Sequence, residues 1–271
     1  MDVFSADWLG VCRRAVAAQK RIFEEAPGIE ARTVYEGIGE GGDRSLAIDR
    51  RCEEAVFTEL DGLADSGASF VAISEERGEV EFGSGGPVRV VIDPIDGSLN
   101  ARRTLPTHSL SVAVASEGSM ADVEFAYVYD FGAGEEFVAR RSEGATLGGE
   151  AIQVLDNDDD RLELLGVESA DPKWALPVVE AMAGKVYRLR VIGSIAITAA
   201  YVGAGRLDAM LSLRPCRSVD AAAAQLIVRE AGGRVAFGDL DLADADLGLD
   251  ARYPIAAAAG EQGLALVQGV E

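Results

Sequence analysis

The stretch from Val88 to Asn100 constrains this chain more than any other. Val88-Arg89-Val90-Val91-Ile92 is β-branched apart from one arginine and reads as a strand. It delivers Asp93 at its end, and Pro94 forbids continuation in a regular ladder. Asp96 lies three residues beyond Asp93, so one tight turn can aim both carboxylates at the same cation. Gly97 lets backbone approach a ligand closely. Ser98 offers a hydroxyl and an amide at the start of a turn or helix, where phosphate oxygens are received. Hard oxygen ligands with no His or Cys beside them favour Mg²⁺ or Mn²⁺ over zinc. A D-x-x-D pair alone is ordinarily a pair of turn-forming acids. The whole string D-P-I-D-G-S-x-N is far more specific.

Composition removes several classes of function. The formal net charge is −21, which repels nucleic acid and anionic membranes. It also repels an anionic substrate, so a phosphate site here needs local cations. No apolar run approaches the about 20 residues of a membrane span, and the acidic start, Met1 to Asp7, lacks the basic region of a secretory signal. The chain reads as cytoplasmic. Cys12, Cys52 and Cys216 are odd in number and widely spaced, so they read as reduced, partly buried thiols. Lys20, Lys173 and Lys185 are the only lysines among 25 basic residues. Acid enrichment with scarce lysine points to a high-salt habitat, where screening removes most self-repulsion.

Along the chain, an apolar stripe predicts a helix from Asp7 to Glu25, and another from Ala47 to about Leu60. Short strands are expected at Phe70–Ile73 and Val88–Ile92, and antiparallel strands at Ser109–Ala115 and Val123–Tyr129. The acidic run Asp156–Asp160 is a plausible boundary. It divides an N-terminal α+β region (1–155) from a C-terminal α/β region (156–271). In the latter, strands are expected at Leu162–Val167, Val186–Ile192 and Arg206–Leu213. Helices are expected at Trp174–Ala183, Ser194–Gly203 and Asp220–Ala231, the last stopped by Gly232-Gly233.

Three separated motifs, in order, resemble the inositol monophosphatase superfamily. The first is Ile73-Ser74-Glu75-Glu76, like the family's acidic pair after a strand. The second is Asp93 to Asn100. The third is Ser218-Val219-Asp220-Ala221-Ala222 with its helix ending Glu230-Ala231-Gly232-Gly233, and Gly193-Ser194-Ile195-Ala196 and Gly205–Ala209 match the intervening segment. The resemblance implies a layered α-β-α-β-α sandwich of the sugar phosphatase type and a homodimer. It implies two or three Mg²⁺ ions, with Mn²⁺ a substitute. Glu75, Asp93 and the Ile95 carbonyl would hold the first ion, Asp93, Asp96 and Asp220 the second, and Glu75 with Glu76 a weaker third. Asp49 and Ser98 would orient the attacking water, Gly97 and Ser98 amides would hold phosphate, and Asp96 and Ser194 would lie near the sugar ring.

The implied substrate is a small phosphorylated sugar or cyclitol, with no nucleic-acid or membrane partner. Leu211-Ser212-Leu213-Arg214 with a further Arg217, and the Gly41-Gly42-Asp43-x-Ser45 run, look like the archaeal branch acting on both inositol 1-phosphate and fructose 1,6-bisphosphate. Arg102, Arg103, Arg190, Arg214 and Arg217 flank the motifs and are candidates to grip a second phosphate. Each is equally readable as a surface arginine. Two other readings stay open: a nucleotidase acting on adenosine 3′,5′-bisphosphate, and a non-catalytic regulatory member binding RNA or protein. His108, the single histidine, reads as structural. The Gly-rich stretch 37–42 lacks the Lys-Ser/Thr of a P-loop and reads as a mobile loop over the metals. If the acidic composition reflects a saline habitat, the unfolding midpoint falls as KCl is lowered from molar to millimolar. An unchanged midpoint in dilute buffer would contradict that.

Overall fold

A computed structural model describes residues 3–38, 44–155 and 161–269. The Gly41–Asp43 run, most of the Gly-rich stretch and the acidic run 156–160 lie outside the described residues.

The expected helices form where the apolar spacing is helical. Asp7 caps Trp8–Glu25 by accepting the Gly10 N–H at 2.9 Å, and Trp8, Val11, Cys12 and Ala15 are buried along one face. Ala47–Asp65 buries Ile48, Cys52, Val56 and Leu60, one per turn. Both helices cover one face of an eight-stranded sheet. Its order is Glu150–Ile152, Gly144–Leu147, Glu135–Arg140, Val123–Asp130, Ser109–Ala115, Arg89–Asp96, Phe70–Ser74, Gly78–Phe82. All neighbours are antiparallel except Phe70–Ser74 and Arg89–Asp96, which run parallel.

Side-chain alternation decides what each face sees. Val90 and Ile92 join Leu110, Val112 and Val114 beneath the N-terminal helices. Val91 turns the other way with Ala113 and Ala115, toward helices Ile195–Gly203 and Ser218–Glu230. Those two helices are buried nearly all round, through Ala196, Ala199, Ala200 and Val202 in one and Ala221 to Ala224 in the other. Helices apolar on every side belong between two sheets. The second sheet has five strands in the order Val186–Arg190, Leu162–Glu168, Ala209–Ser212, Ala256–Ala258, Arg234–Ala236. Its outer face is closed by Pro172–Ala181 and Glu261–Gln268 through Val178 and Val267. The five layers are thus helix, sheet, helix, sheet, helix.

The structure revises several boundaries. The strand expected to stop at Ile92 runs on to Asp96, across an irregularity: Asp93 lies opposite Ser111, but Asp96 lies opposite Ser109. Three residues on one strand span two on the other, and Pro94, which has no N–H, sits in the bulge. The strand expected over Arg206–Leu213 shrinks to Ala209–Ser212. Ala256-Ala257-Ala258, helix-prone by composition, is a strand because its small side chains fit between tightly packed layers.

Filling a middle-layer alanine tests this packing. Ala200→Leu adds volume where the residue is fully buried. It should cost on the order of 1–3 kcal/mol, read as a lower denaturant midpoint at unchanged slope.

Candidate metal centre

Three elements converge at one end of the sheet interface. Asp93 continues the Val91 face of its strand, is buried, and accepts the Ile95 N–H at 2.9 Å, which closes the bulge on itself. Asp96 leaves the bulge toward the N-terminus of helix Ile195–Gly203. It accepts the Ala196 N–H at 2.7 Å, the Ile195 N–H at 3.3 Å and the Ser194 hydroxyl, and Ser109 Oγ lies 3.4 Å away. Asp220, in the first turn of Ser218–Glu230, accepts the Arg217 N–H at 2.9 Å. One oxygen from each of Asp93, Asp96 and Asp220 lies within 4.8 Å of the others.

Carboxylates so close, Asp93 and Asp96 buried and Asp220 half-buried, resist ionising together. Burial first, then the Asp96 charge, pushes Asp220 up to about 7. Burial pushes Asp96 up to about 6 against the opposing hydrogen bonds from Ser194 and Ala196. Asp93 is raised as well, by burial and then by Asp96 and Asp220. Such a cluster suits a cation. The Cys216 thiol is held well above its ordinary value by burial and stays protonated, so the available donors are oxygens. Ser111, cross-strand from Asp93 on the same face, is buried, and its hydroxyl has no hydrogen-bond partner among the described residues. An unmatched hydroxyl there suits a water of a cation's shell. The donor set fits Mg²⁺ or Mn²⁺.

A cavity of about 300 Å³ opens beside Asp93 and is lined by Asp49, Glu75, Glu76, Ile95, Ser98 and Arg102. Asp49 accepts the Leu46 N–H at 3.2 Å, and burial lifts it to about 7. Glu75 follows the strand Phe70–Ser74, whose last hydroxyl donates to buried Glu53. Glu75 itself is ion-paired with Arg217. A second cavity of about 810 Å³ shares Leu99 with the first and reaches Asp96, Glu168, Gly193, Ser194 and Arg214. Between them stands Gly97, at φ +88°, where a Cβ would come 2.9 Å from the Gly193 carbonyl oxygen and 3.0 Å from that of Thr107.

The five arginines scatter. Arg102 lines the smaller cavity and Arg214 the larger. Arg217 is engaged with Glu75, while Arg103 and Arg190 are exposed and line neither cavity. His108 is buried, stacks on Phe131 with ring centroids 5.4 Å apart, and lies 3.2 Å by Nδ1 from the Leu105 carbonyl oxygen. Burial lowers it to about 4, so it packs as a neutral ring. Val219 is fully enclosed in the central core.

Two neighbours of the centre, Ser111 and Glu168, escaped sequence reasoning, and Asn100 was read only as the end of its motif. Asn100 donates to the Thr107 and Ile192 carbonyl oxygens, each at 2.8 Å. Ser111 faces Asp93, and Glu168 underlies the Gly193 turn. A signal existed for Glu168: like Asp93 and Glu75, it is an acid ending or following an apolar strand.

Comparison with known proteins identifies the family. Residues 10–267 match the inositol monophosphatase family. Over 238 residues the chain is 31% identical to a fructose-1,6-bisphosphatase/inositol-1-monophosphatase of Methanothermobacter thermautotrophicus, covering 84% of this chain and 83% of that protein. Over 218 residues it is 34% identical to the Nus factor SuhB of Escherichia coli, covering 78% of each. A crystal structure described as an inositol monophosphatase–fructose 1,6-bisphosphatase superposes with a TM-score of 0.83 at 24% identity, covering 98% of this chain and all of that one. The extragenic suppressor protein SuhB of Bartonella henselae gives 0.80 at 24% identity, covering 98% and 99%. The chain belongs to the inositol monophosphatase family.

The raised carboxylates fix the sign of a pH effect. Unfolded, Asp49, Asp96 and Asp220 lose protons near 3.8; folded, they hold them to about 6–7. The native state binds more protons across that window, so its stability falls as pH rises through it. His108 acts oppositely between about 4 and 6.5, but it is one group against three. In chelator, the melting temperature should be lower at pH 8 than at pH 5.5, and millimolar Mg²⁺ should restore it. Asp220→Asn should flatten the chelator slope, which calorimetry at the two pH values measures.

Proposed function

We propose that this chain is a Mg²⁺-dependent phosphomonoesterase acting on a phosphorylated sugar or cyclitol, fructose 1,6-bisphosphate or inositol 1-phosphate. The observation that carries the reading is the set of three carboxylate oxygens within 4.8 Å, set beside two adjoining cavities. In this reading Asp93, Asp96, Asp220, Glu75 and the Ile95 carbonyl hold two ions, and Glu75 with Glu76 a weaker third. Divalent metal, when bound, polarises phosphoryl oxygens and makes water a stronger nucleophile. The chain's own groups position the reactants. Asp49 and Ser98, which share the smaller cavity, orient the water, and the proton it loses passes to the Asp49 carboxylate. The amides of Gly97 and Ser98 hold the phosphate. Water oxygen bonds to phosphorus as the phosphorus–alkoxide bond breaks, with no covalent enzyme intermediate.

The sugar ring lies in the larger cavity against Asp96 and Ser194, where Arg214 is the cation available to a second phosphate. Arg102 sits on the metal side. Arg103 and Arg190 could reach only a group projecting from the rim. The name of the archaeal relative covers both activities, and the Arg214 position supports fructose 1,6-bisphosphate over inositol 1-phosphate. We also propose a homodimer. The 34% identity to a Nus factor supports a second reading, a regulatory protein that binds RNA or another protein. The −21 charge weighs against RNA.

Steady-state kinetics in Mg²⁺ with fructose 1,6-bisphosphate, inositol 1-phosphate and adenosine 3′,5′-bisphosphate test this directly. Asp93→Asn should lower turnover by more than the about 10–100-fold typical of outer-shell changes. Loss of a charged hydrogen bond is worth about 1.5–3 kcal/mol. Arg214→Ala should therefore raise KM for the bisphosphate about tenfold or more and leave inositol 1-phosphate little changed. Hydrolysis of none of the three would defeat the enzymatic reading.

A further inference from the structure

Glu168 ends the strand Leu162–Glu168, is 1% exposed, and is not a member of the carboxylate cluster. Its carboxylate is saturated by one short segment. It accepts the Gly193 N–H at 2.9 Å, the Ile192 N–H at 3.2 Å and the Thr198 hydroxyl at 2.6 Å. The same turn is gripped from its other side. Asn100 Nδ2 donates to the Ile192 carbonyl oxygen at 2.8 Å and Thr107 Oγ1 at 2.9 Å. The N–H groups of the turn thus point to Glu168 and its carbonyl to Asn100 and Thr107. Gly193 lies in the left-handed region at φ +83°, and a Cβ there would stand 2.7 Å from Asn100 Nδ2. The turn has no slack.

The residues immediately after this turn hold Asp96. Ser194 caps the next helix, accepting the Ile197 N–H at 3.2 Å, and its hydroxyl donates to Asp96. The Ile195 and Ala196 amides complete that grip. All three donors lie in or directly after residues 192–194 in the chain.

We propose that Glu168 is a positioning residue: by gathering the N–H groups of the Ile192–Gly193 turn, it fixes the donors that orient Asp96 and so sets divalent-metal affinity. The proposal rests on the reading of the acidic cluster as a metal centre. Burying a carboxylate costs stability unless every oxygen is matched. An apolar residue would close the strand end without that cost, but would leave the turn's N–H groups unpaired. Changes in such outer partners weaken metal binding about 10–100-fold.

The test is Mn²⁺ binding, read from the electron paramagnetic resonance of free Mn²⁺, in wild type, Glu168→Gln and Thr198→Val. Glu168→Gln keeps the shape but turns one acceptor into a donor facing an N–H. Thr198→Val keeps the charge and removes one donor. The Mn²⁺ Kd should rise about tenfold or more in the first and a few-fold in the second. The Mg²⁺ concentration for half-maximal activity should rise in parallel, while KM at saturating Mg²⁺ should change less than about threefold. A wild-type Kd in Glu168→Gln overturns the proposal. A shift in Glu168→Gln with none in Thr198→Val also overturns it, because charge rather than position would then be the cause. If Glu168→Gln does not fold, Thr198→Val decides. Wild-type protein that binds no Mn²⁺ would defeat the metal-centre reading itself, which is a different result from unchanged variants.

Discussion

Three carboxylates, two buried and one half-buried, held within 4.8 Å of one another are the constraint around which the rest of this structure is arranged. Poor solvation raises the proton affinities of Asp93, Asp96 and Asp220, and neighbouring carboxylates raise them further. The fold tolerates the cluster because each acid is supported by donors from its own locality. Asp93 is held by the bulge amide of Ile95, Asp220 by the amide preceding its helix, and Asp96 by the first turn of a buried helix. Remove the cation such a site suits, and electrostatics works against the native state at neutral pH.

The five-layer sandwich explains how groups so far apart in sequence meet. Asp93 and Asp96 come from the large sheet, and Asp220 and the Ser194 cap from the two helices packed between the sheets. Those helices lie close to both sheets because their buried faces are rich in alanine and other small residues. Glu168 arrives from the small sheet, so the site draws on both sheets and the layer between them. Each cavity combines carboxylates with one arginine, Arg102 in the smaller and Arg214 in the larger.

Much of this was legible in the sequence. The strand before Asp93, both N-terminal helices and the Ala-rich helix after Asp220 follow from periodicity and turn residues, and the structure moves their ends by only a few residues. The grouping of Asp93, Asp96 and Asp220 was available only through family resemblance, since nothing local relates residue 220 to residue 93. The failures have physical causes. Ala256–Ala258 carries no strand signal, because its small side chains favour a strand only once packing between layers is in place. The arginines could be named as a set but not sorted, because proximity in sequence to a motif does not say which cavity a long side chain reaches. Arg217, read as a candidate phosphate ligand, lies against Glu75 in this structure. Glu168 carries no motif, and its role is visible only once its hydrogen bonds to residues 192, 193 and 198 are seen.

Whether the acidic cluster is a divalent-metal centre is the point on which the mechanism turns. Anomalous diffraction from crystals equilibrated with Mn²⁺ tests it most directly. A strong anomalous peak coordinated jointly by Asp93, Asp96 and Asp220, absent in Asp93→Asn, is the expected result. Fully ordered carboxylates with no peak between them at saturating Mn²⁺ would contradict it.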